Sequence, residues 1–328
     1  MPLVSPAVAS HPLRIPFIPV NILHSIEDLA GLKGPIVLAA GTFDGVHLGH
    51  QALIRRAMEE ASACGGTAVV MTFDRHPASL LRPEKAPKLL TRNDVKTSLL
   101  SGMDVPALLL LEFTSDLAGV PARDFIASLV AACSPLQAFC VGRQWTFGKG
   151  GEGNVALLKE LGAEWTFDVI RIDPVMAADL PISSTRIRKA IASGDFAESS
   201  ACLGRPFILT GKVVSGAGLG STIGFPTANL SVEGIQLPPD GVYAVRVHRE
   251  GGVYPGVANI GVRPTVDPTS SKRTVEVHLF DWSEDLGGKE LSLELVKFLR
   301  GEEKFSGLDA LKGQIAKDCE RARAILNY

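Results

Sequence analysis

The first half of the chain alternates short apolar runs with longer segments in which apolar residues recur at helical spacing. The apolar runs predict strands, which are Ile36–Ala40, Thr67–Phe73, Ala107–Leu111, Ala138–Val141 and Trp165–Ile172. The helical spacing predicts helices at Leu48–Ala63, Asn93–Leu100, Ala122–Ala132 and Asn154–Leu161. Buried strands that alternate with helices are typical of a parallel sheet covered on both faces, so we predict an α/β fold for this half.

The pattern changes after about residue 203, where the apolar segments become shorter and Gly or Pro residues stand in the gaps between them. Alternation of polar and apolar residues, as in Val242–His248, is typical of strands. We predict strands at Ile208–Val214, Gly241–Val247, Val253–Ile260, Thr274–Phe280 and Leu291–Phe298. Closely spaced short strands favour a small antiparallel β-barrel, and the apolar face of Leu308–Ile325 predicts a terminal helix.

A length of 328 residues fits two domains, since one domain usually has about 100–200 residues. We predict a variable extension over residues 1–20 and an α/β domain over residues 21–188. A linker helix over residues 189–203 would then lead to a barrel domain over residues 204–328.

Composition narrows the class of protein. The formal net charge is −2 and Lys and Arg form no block, which disfavours binding to nucleic acid. The five cysteines include no C-x-x-C pair, which argues against disulfides and zinc and favours a reducing compartment. No apolar run approaches the ~18 residues of a membrane span. We expect a cytoplasmic protein that acts on small molecules, without nucleic acid, membrane or an obligatory protein partner.

A first group of polar residues lies in Gly41–His50, where the first predicted strand meets the first long helix. Ligands of open α/β sheets bind beyond the carboxyl ends of strands, and a helix N-terminus suits phosphate. His47 and His50 would lie on one side of the first helical turn, and Gly49 leaves room for a nucleotide to approach the backbone. An ordinary turn and a metal site are the alternatives, but no carboxylate cluster supports zinc.

A second group of polar residues is Ile182–Arg188, after the last strand of the predicted sheet. Ser184 or Thr185 could cap a helix while offering hydroxyl and N–H groups to phosphates. Arg188 adds a positive charge one turn later. Taken alone, a Ser-Ser-Thr string is most often only a helix N-cap.

The string GTFDGVHLGH resembles the H-x-G-H signature of the nucleotidyltransferase superfamily, in the form found in bacterial bifunctional riboflavin kinase/FAD synthetases. ISSTRIR resembles the superfamily's second signature. The resemblance implies a Rossmann-like domain that transfers an adenylyl group from ATP to FMN. It also implies that His47 and His50 stabilise charge during that transfer. The phosphate contacts that it implies are Gly41, Phe43, Asp44, Gly49, Ser184, Thr185 and Arg188.

The same resemblance continues through FDRHP, a loop that in the family helps to line the flavin side of the site, and it also covers VGRQWTFG. It implies flavin contacts at Phe73, His76, Pro77 and Gln144. The family usually has Asp or Asn followed by Phe where this chain has Gln144 and Trp145. Glutamine can still form hydrogen bonds and tryptophan can still stack, although the reach of both side chains differs.

The barrel-like half contains a glycine-rich segment, Ser215–Gly224, followed by GFPTANL. Backbone N–H groups around Gly216 and Gly218 could bind phosphates, although no Walker sequence follows. Thr227 and Asn229, two positions apart on an extended segment, would point to the same side and offer oxygen ligands to Mg²⁺. From spacing alone, an ordinary turn and strand is the favoured interpretation.

GFPTANL resembles the P-T-A-N motif of riboflavin kinases, and three downstream strings fit the same family. The resemblance implies that Glu276, which we place at the end of a strand, deprotonates riboflavin, and that Arg263 contacts the flavin. The family often has an arginine in the glycine-rich loop, where this chain has Leu219 and Ser221. The implied reactions are riboflavin to FMN and FMN to FAD, with ATP as co-substrate and Mg²⁺ as cofactor.

Two interpretations from other classes of protein compete with this one. Gly148–Gly153 fits G-x-G-x-x-G, which would suit a dinucleotide-dependent oxidoreductase. That match lies on a late strand rather than at the start of the fold, so we treat the segment as a mobile loop. A flavin- or nucleotide-binding regulatory protein without turnover is the other alternative, and the full set of candidate catalytic residues argues against it.

Overall fold

The computed structural model describes residues 20–216, 220, 223–249, 251–263 and 272–328, without the side chains of Arg263 and Lys272. Several sequence predictions therefore lie outside the described residues: the extension before residue 20, the phosphate contact at Gly218, the departures at Leu219 and Ser221, and the flavin contact of the Arg263 side chain. The chain divides into two compact units. One comprises residues 20–206 with Gly234–Leu237, and the other comprises Phe207–Glu233 with Pro238–Tyr328.

The first unit contains a six-stranded parallel sheet with the strand order β1-β4-β3-β2-β5-β6. Its strands are β1 (Asn21–Leu23), β2 (Ile36–Ala40), β3 (Thr67–Phe73), β4 (Ala107–Leu111), β5 (Leu136–Gly142) and β6 (Asp168–Ile172). A separate hairpin is formed by β7 (Met176–Ala177) and β8 (Leu180–Pro181). The predicted α/β architecture is confirmed.

Helices cover both faces of this sheet. One face is covered by α1 (Leu48–Ala63) and α3 (Asn93–Ser101), and the other by α5 (Ala122–Ala132) and α6 (Val155–Trp165). The unit also contains α2 (Pro77–Leu81), α4 (Ser115–Gly119), α7 (Ser184–Ser193) and α8 (Phe196–Leu203). Short 3₁₀ turns lie at Ile26–Gly31, Pro83–Lys85 and Lys149–Gly151. Every residue of β2 is buried, because Ile36 and Leu38 join the core on one face and Val37 and Ala39 the core on the other.

The strand order creates a crevice beside β2. From β2 the chain proceeds to β3 and β4 on one side of the sheet and later to β5 and β6 on the other. Connections that leave neighbouring strands in opposite directions open a space beyond their carboxyl ends, which is where ligands of open α/β sheets bind. The segments that follow β2, β3 and β5 therefore converge at this crevice.

Two of the predicted elements differ clearly from the structure. Trp165 ends α6 rather than beginning a strand, because Thr166 takes the left-handed conformation that closes the helix, and β6 starts at Asp168. The stretch 189–203 is two helices rather than one, since Gly194 adopts a left-handed φ of 77° and ends α7.

The second unit is a closed antiparallel barrel with the order β10-β13-β12-β11-β14-β9, which β9 and β10 close by pairing with each other. Its strands are β9 (Ile208–Val214), β10 (Ala228–Ser231), β11 (Gly241–Arg249), β12 (Gly252–Arg263), β13 (Lys272–Leu279) and β14 (Glu290–Arg300). A helix, α9 (Leu308–Leu326), packs Cys319, Ala322 and Leu326 on the outside of the barrel. The predicted barrel and terminal helix are confirmed. Within the described part of the chain, no helix has the length and apolar character that crossing a membrane requires.

An ion pair between Arg300 and Asp318 fastens α9 to the barrel. The Asp318 carboxylate is 1% exposed and accepts hydrogen bonds from Arg300 Nε at 2.9 Å and from Gln314 at 3.0 Å. Loss of one partner of a buried pair leaves the other charge without compensation.

We expect Asp318→Asn to lower the free energy of unfolding of the barrel by about 3–5 kcal/mol, because the Arg300 charge would remain buried without its counterion. Asp281→Asn is the matched control, since Asp281 pairs with Arg323 at the surface and should contribute much less. Amide hydrogen exchange in β11 and β14 measures both losses. Equal protection in the two variants would contradict the prediction.

Candidate active sites

The loop after β2 is strained and is held in place from outside itself. Phe43 and Val46 have positive φ angles of 50° and 41°, which bulky and β-branched residues rarely adopt. Gly45 has a φ of 85°, and a Cβ atom there would lie 2.7 Å from the Leu90 side chain. Such backbone strain persists only where the surrounding structure fixes it, and it is frequent at functional sites.

Asp44 provides most of the external support for this loop. Its buried carboxylate accepts hydrogen bonds from the backbone N–H of Leu90 at 2.9 Å and of Thr91 at 3.1 Å. Arg188 of α7 donates to the same carboxylate at 2.6 Å and also donates to the carbonyl of Lys88. Asp44 and Arg188, both predicted phosphate contacts, therefore bind each other.

The second signature lies against the first. The Ser184 hydroxyl donates to the carbonyl of Asp44 at 3.0 Å, so the N-terminus of α7 meets the loop that leads into α1. The prediction that Ser184 or Thr185 caps this helix is wrong. Ser183 is the N-cap and accepts from the N–H of Arg186, because its extended backbone conformation turns the hydroxyl toward the helix end.

His47 and His50 stack at the start of α1, with ring centroids 3.5 Å apart. His47 is the N-cap of α1, and its Nδ1 accepts from the N–H of His50 at 3.2 Å. The ring proton of neutral His47 therefore lies on Nε2, which can donate to a ligand. His50 Nδ1 is buried and has no hydrogen-bond partner among the described residues.

Burial keeps both imidazoles neutral. Desolvation, with smaller contributions from the nearby cations Arg205 and Arg188, lowers the pKa of His47 to about 4. The pKa of His50 is well below its ordinary value, mainly through burial and then through His47, Arg205 and Lys96. Neutral imidazoles can donate hydrogen bonds to phosphate oxygens, but they supply no charge of their own.

Two glycines in the signature make room for side chains of the protein itself. A Cβ atom at Gly49 would lie 3.1 Å from the His47 ring, so this glycine lets the ring fold back over the first helical turn. A Cβ atom at Gly41 would lie 3.1 Å from the ring of Phe43. From the sequence we predict a different purpose for Gly49, namely space for the nucleotide.

A cavity of about 470 Å³ opens beside His50 at the crevice of the sheet. Its lining combines aromatic and apolar side chains with a few polar groups, as expected for the site of a planar ligand. Four predicted flavin contacts line it together: Phe73, His76, Pro77 and Gln144. Trp145 also lines the cavity and stacks on Phe147 with ring centroids 4.7 Å apart.

The glycine-rich Gly148–Gly153 segment is a hydrogen-bonded loop. Lys149 N–H donates to the carbonyl of Val120, and the Glu152 carboxylate accepts from the N–H of Ala122 at 2.7 Å. A Cβ atom at Gly148 would lie 2.4 Å from the backbone of Ala122, so close packing explains this glycine without a dinucleotide.

Two cations near the first site, Lys96 and Arg205, do not belong to the residues predicted from the sequence. Lys96 donates to the carbonyl of Phe73 at 2.6 Å, and burial lowers its pKa to about 8. Arg205 donates to the carbonyl of Gly45 at 2.7 Å. The position of Lys96, four residues before the buried Leu100 on an amphipathic helix, indicates that its side chain lies on the buried face. The sequence around Arg205 contains no comparable pattern.

In the barrel, three polar residues stand side by side on neighbouring strands. Glu276 of β13 pairs in register with Asn229 of β10 on one side and with Asn259 of β12 on the other. Directly opposed residues of antiparallel strands project from the same face. Glu276 therefore lies in the middle of its strand, not at its end as we predicted, and its neighbours Val275 and Val277 are buried.

Two cavities meet at Thr227. One, of about 300 Å³, is lined by Glu276, His278 and many apolar side chains, including Phe225 and Phe305. The other, of about 930 Å³, is more polar and is lined by the segment 282–288 and by Ser215. Thr227 lines both cavities. Two substrates that occupied the two cavities would thus approach each other at this residue.

The oxygen donors near Thr227 suit a hard cation such as Mg²⁺. Asn229 is buried beneath Gly216, where a Cβ atom would lie 2.1 Å from the Asn229 amide nitrogen. A Cβ atom at Gly220 would lie 3.1 Å from Thr227 Oγ1. Within the described residues, no group of three or more His, Cys, Asp or Glu side chains could hold a metal ion. A hydroxyl and an amide oxygen are donors that a hard cation can share with phosphate oxygens.

Comparison with known proteins identifies both units. The family model for FAD synthetase matches residues 31–186, and the model for riboflavin kinase matches residues 203–326. The bifunctional riboflavin kinase/FMN adenylyltransferase of Escherichia coli K12 is 40% identical over 88% of this chain and 91% of its own length. The chain belongs to this family. The corresponding Bacillus subtilis protein is 34% identical over 92% of this chain and 96% of its own length.

A solved structure described as a macrolide-efflux protein from Streptococcus pneumoniae has the same overall fold. It matches with a TM-score of 0.78 and 32% identity, over 93% of this chain and 98% of that one.

The chain phosphorylates riboflavin with ATP to give FMN and then adenylylates FMN with a second ATP to give FAD and pyrophosphate. The adenylyltransferase lies in the N-terminal part and the kinase in the C-terminal part, as predicted.

We expect the first unit to lose stability as the pH falls from about 6.5 to about 4. In the unfolded chain His47 binds a proton below its ordinary pKa of 6.5, whereas in the folded unit its pKa is about 4. The unfolded state therefore binds more protons in this window, and the free energy of unfolding should fall by about 3 kcal/mol from His47 alone. Protonation of Nδ1 would also break the bond to His50 N–H.

His47→Asn separates titration from capping, because an asparagine oxygen can still accept from the helix N-terminus. Hydrogen exchange of the β2 amides across this pH range measures the stability of the first unit. We expect a shallower pH dependence in the variant. If the free energy of unfolding of the variant falls as steeply with decreasing pH as that of the unmodified protein, groups other than His47 cause the acid sensitivity.

Proposed function

We propose that FMN binds in the cavity beside His50 and that the triphosphate of ATP lies over the N-termini of α1 and α7. The single observation that supports this arrangement is that the two helix ends, the stacked histidines and the aromatic cavity converge at one crevice. Helix N-termini bind phosphates through N–H groups, and the aromatic lining suits an isoalloxazine ring.

In the adenylyl transfer, an FMN phosphate oxygen bonds to the α-phosphorus of ATP while the bond to the pyrophosphate oxygen breaks. His47 Nε2–H and the His50 ring donate hydrogen bonds to oxygens that gain negative charge in this displacement. Gly41, Phe43, Gly49, Ser184 and Thr185 contribute through the backbone and hydroxyl groups of the two signatures. Asp44 and Arg188 take part by fixing these segments relative to each other.

In the kinase, we assign riboflavin to the apolar cavity that contains Glu276 and ATP to the larger, more polar cavity. Glu276 takes the proton of the ribityl 5′-hydroxyl, whose oxygen bonds to the γ-phosphorus as the bond to ADP breaks. Thr227 and Asn229 would hold Mg²⁺, which neutralises charge on the ATP phosphates when bound. Gly216 contributes by leaving space for the Asn229 amide.

The cellular setting follows from the cysteines and the substrates. The five cysteines are free, and burial raises the pKa of Cys133 and Cys140 to about 12, so these thiols stay protonated. We propose a cytoplasmic enzyme because free thiols and ATP chemistry suit a reducing compartment. The expectations that it needs no nucleic acid, membrane or protein partner stay predictions.

We expect the double variant His47→Ala/His50→Ala to abolish FAD formation while FMN accumulates at the normal rate. Removal of one such hydrogen-bond donor usually costs about 10²–10³ in rate, and both donors are lost here. Product analysis after incubation with riboflavin, ATP and Mg²⁺ measures both reactions. Normal FAD formation would refute the assignment of the two histidines.

We expect Glu276→Gln to reduce riboflavin phosphorylation by about 10²–10⁴ while riboflavin still binds, because the amide keeps the shape but cannot take a proton. Thr227→Ala should instead raise the Mg²⁺ concentration needed for half-maximal rate. A Mg²⁺ series with both half-reactions separates these effects.

Conversion of added FMN to FAD is the internal control for both kinase variants, since that reaction uses the other site. Near-normal phosphorylation by Glu276→Gln would place the base elsewhere. Loss of both activities together would show that the two reactions depend on each other more closely than this proposal allows.

A further inference from the structure

Arg205 lies outside both sequence signatures, yet it holds the strained loop of the adenylyl-transfer site. Its guanidinium donates to the carbonyl of Gly45 at 2.7 Å, to that of Val46 at 3.2 Å and to that of Leu203 at 3.3 Å. Gly45 and Val46 are among the positive-φ residues that immediately precede His47. The side chain therefore supports the loop at the point where it turns into α1.

The whole segment around Arg205 is built against this helix start. A Cβ atom at Gly204 would lie 2.5 Å from the side chain of Leu48, the first residue of α1. Gln51 of α1 donates to the carbonyls of Val46 and Leu203, two of the acceptors that Arg205 also uses. Such close approach fixes the position of the helix N-terminus and with it the two histidines.

A second stretch from beyond residue 203 supports the same loop. Leu89 pairs with Ile235, and its N–H donates to the carbonyl of Gly234 at 2.8 Å. Leu89 directly precedes Leu90 and Thr91, whose N–H groups hold the Asp44 carboxylate. The riboflavin kinase family model covers all of this stretch as well as Arg205.

Arg205 also acts on the histidines through its charge. Burial lowers its pKa to about 10, so it remains a cation at neutral pH. Its positive charge lowers the pKa of His47, as does the charge of Arg188. It also lowers the pKa of His50, as does the charge of Lys96. Asp44 is the carboxylate that pairs with Arg188. These positive charges favour neutral imidazoles, which leaves Nδ1 of His47 able to cap α1.

We propose that Arg205 is a positioning residue for FMN adenylylation, although it lies in the part of the chain that matches riboflavin kinase. It sets the geometry of the loop and of His47 and His50 without lining the flavin cavity. This inference rests on the proposed role of the two histidines.

The test compares Arg205→Ala, Arg205→Gln and Arg205→Lys in the full chain, with riboflavin phosphorylation and FMN adenylylation measured separately. A small misplacement of reacting groups can cost about 10²-fold in rate, so we expect Arg205→Ala to lower the kcat of adenylylation by about 10- to 100-fold. The KM for FMN and the rate of riboflavin phosphorylation should change by less than about twofold, because Arg205 lies outside the flavin cavity.

The charge-preserving variant separates positioning from simple loss of stability. Arg205→Lys keeps a cationic donor and should recover most of the kcat, whereas Arg205→Gln keeps donors without charge. In Arg205→Gln the acid limb of the kcat profile should also move to higher pH, because loss of the cation raises the pKa of His47 and His50. If Arg205→Ala fails to fold, the difference in kcat between Arg205→Lys and Arg205→Gln tests the proposal.

Arg56→Ala is the control, since Arg56 is an exposed residue of α1 that forms a helical salt bridge with Glu60. The proposal is overturned if Arg205→Gln adenylylates FMN with normal kcat, or if only the KM for FMN rises. His47→Ala/His50→Ala is measured in parallel. Normal activity in that variant would refute the histidine roles themselves, whereas normal activity in Arg205→Gln alone would refute only the role of Arg205.

Discussion

The buried carboxylate of Asp44 is the constraint on which the adenylyl-transfer site depends. It joins the loop after β2 to the segment at Leu90 and Thr91 and to Arg188 of α7. A buried charge of this kind must be satisfied on all sides, so each partner is fixed in position relative to the others. The strained loop, the N-terminus of α1 and the N-terminus of α7 consequently occupy one arrangement.

In the mechanism that we propose, that arrangement explains how uncharged histidines serve a reaction between anions. Burial and neighbouring cations hold the pKa of His47 near 4, so the proposed contribution of His47 is a directed Nε2–H group rather than a positive charge. The positive charge at the site comes instead from Arg188, Arg205 and Lys96, which are tied to protein oxygens. Donors that are fixed in advance need no reorganisation when charge develops on the phosphate.

In the barrel, the polar groups are positioned by strand register rather than by a buried carboxylate. Its interior is filled by apolar side chains, so the polar row of Asn229, Glu276 and Asn259 faces outward. The covering helix α9 and the segment that precedes it enclose this outer face and form the apolar cavity. Strand register thus sets the spacing of the polar groups, while α9 and its preceding segment supply apolar walls around Glu276 and Asn259.

The sequence by itself determined the fold class of both units, most element boundaries and the two signature motifs, because hydrophobic periodicity and turn residues are local properties. It also identified Phe73, His76, Pro77 and Gln144, which the structure brings into one cavity. Only the tertiary structure decided that Ser183 rather than Ser184 caps α7, that Glu276 lies in mid-strand, and that Arg205 reaches Gly45. Each of these depends on backbone conformation or on contacts between residues far apart in the chain, and local sequence patterns do not encode such contacts.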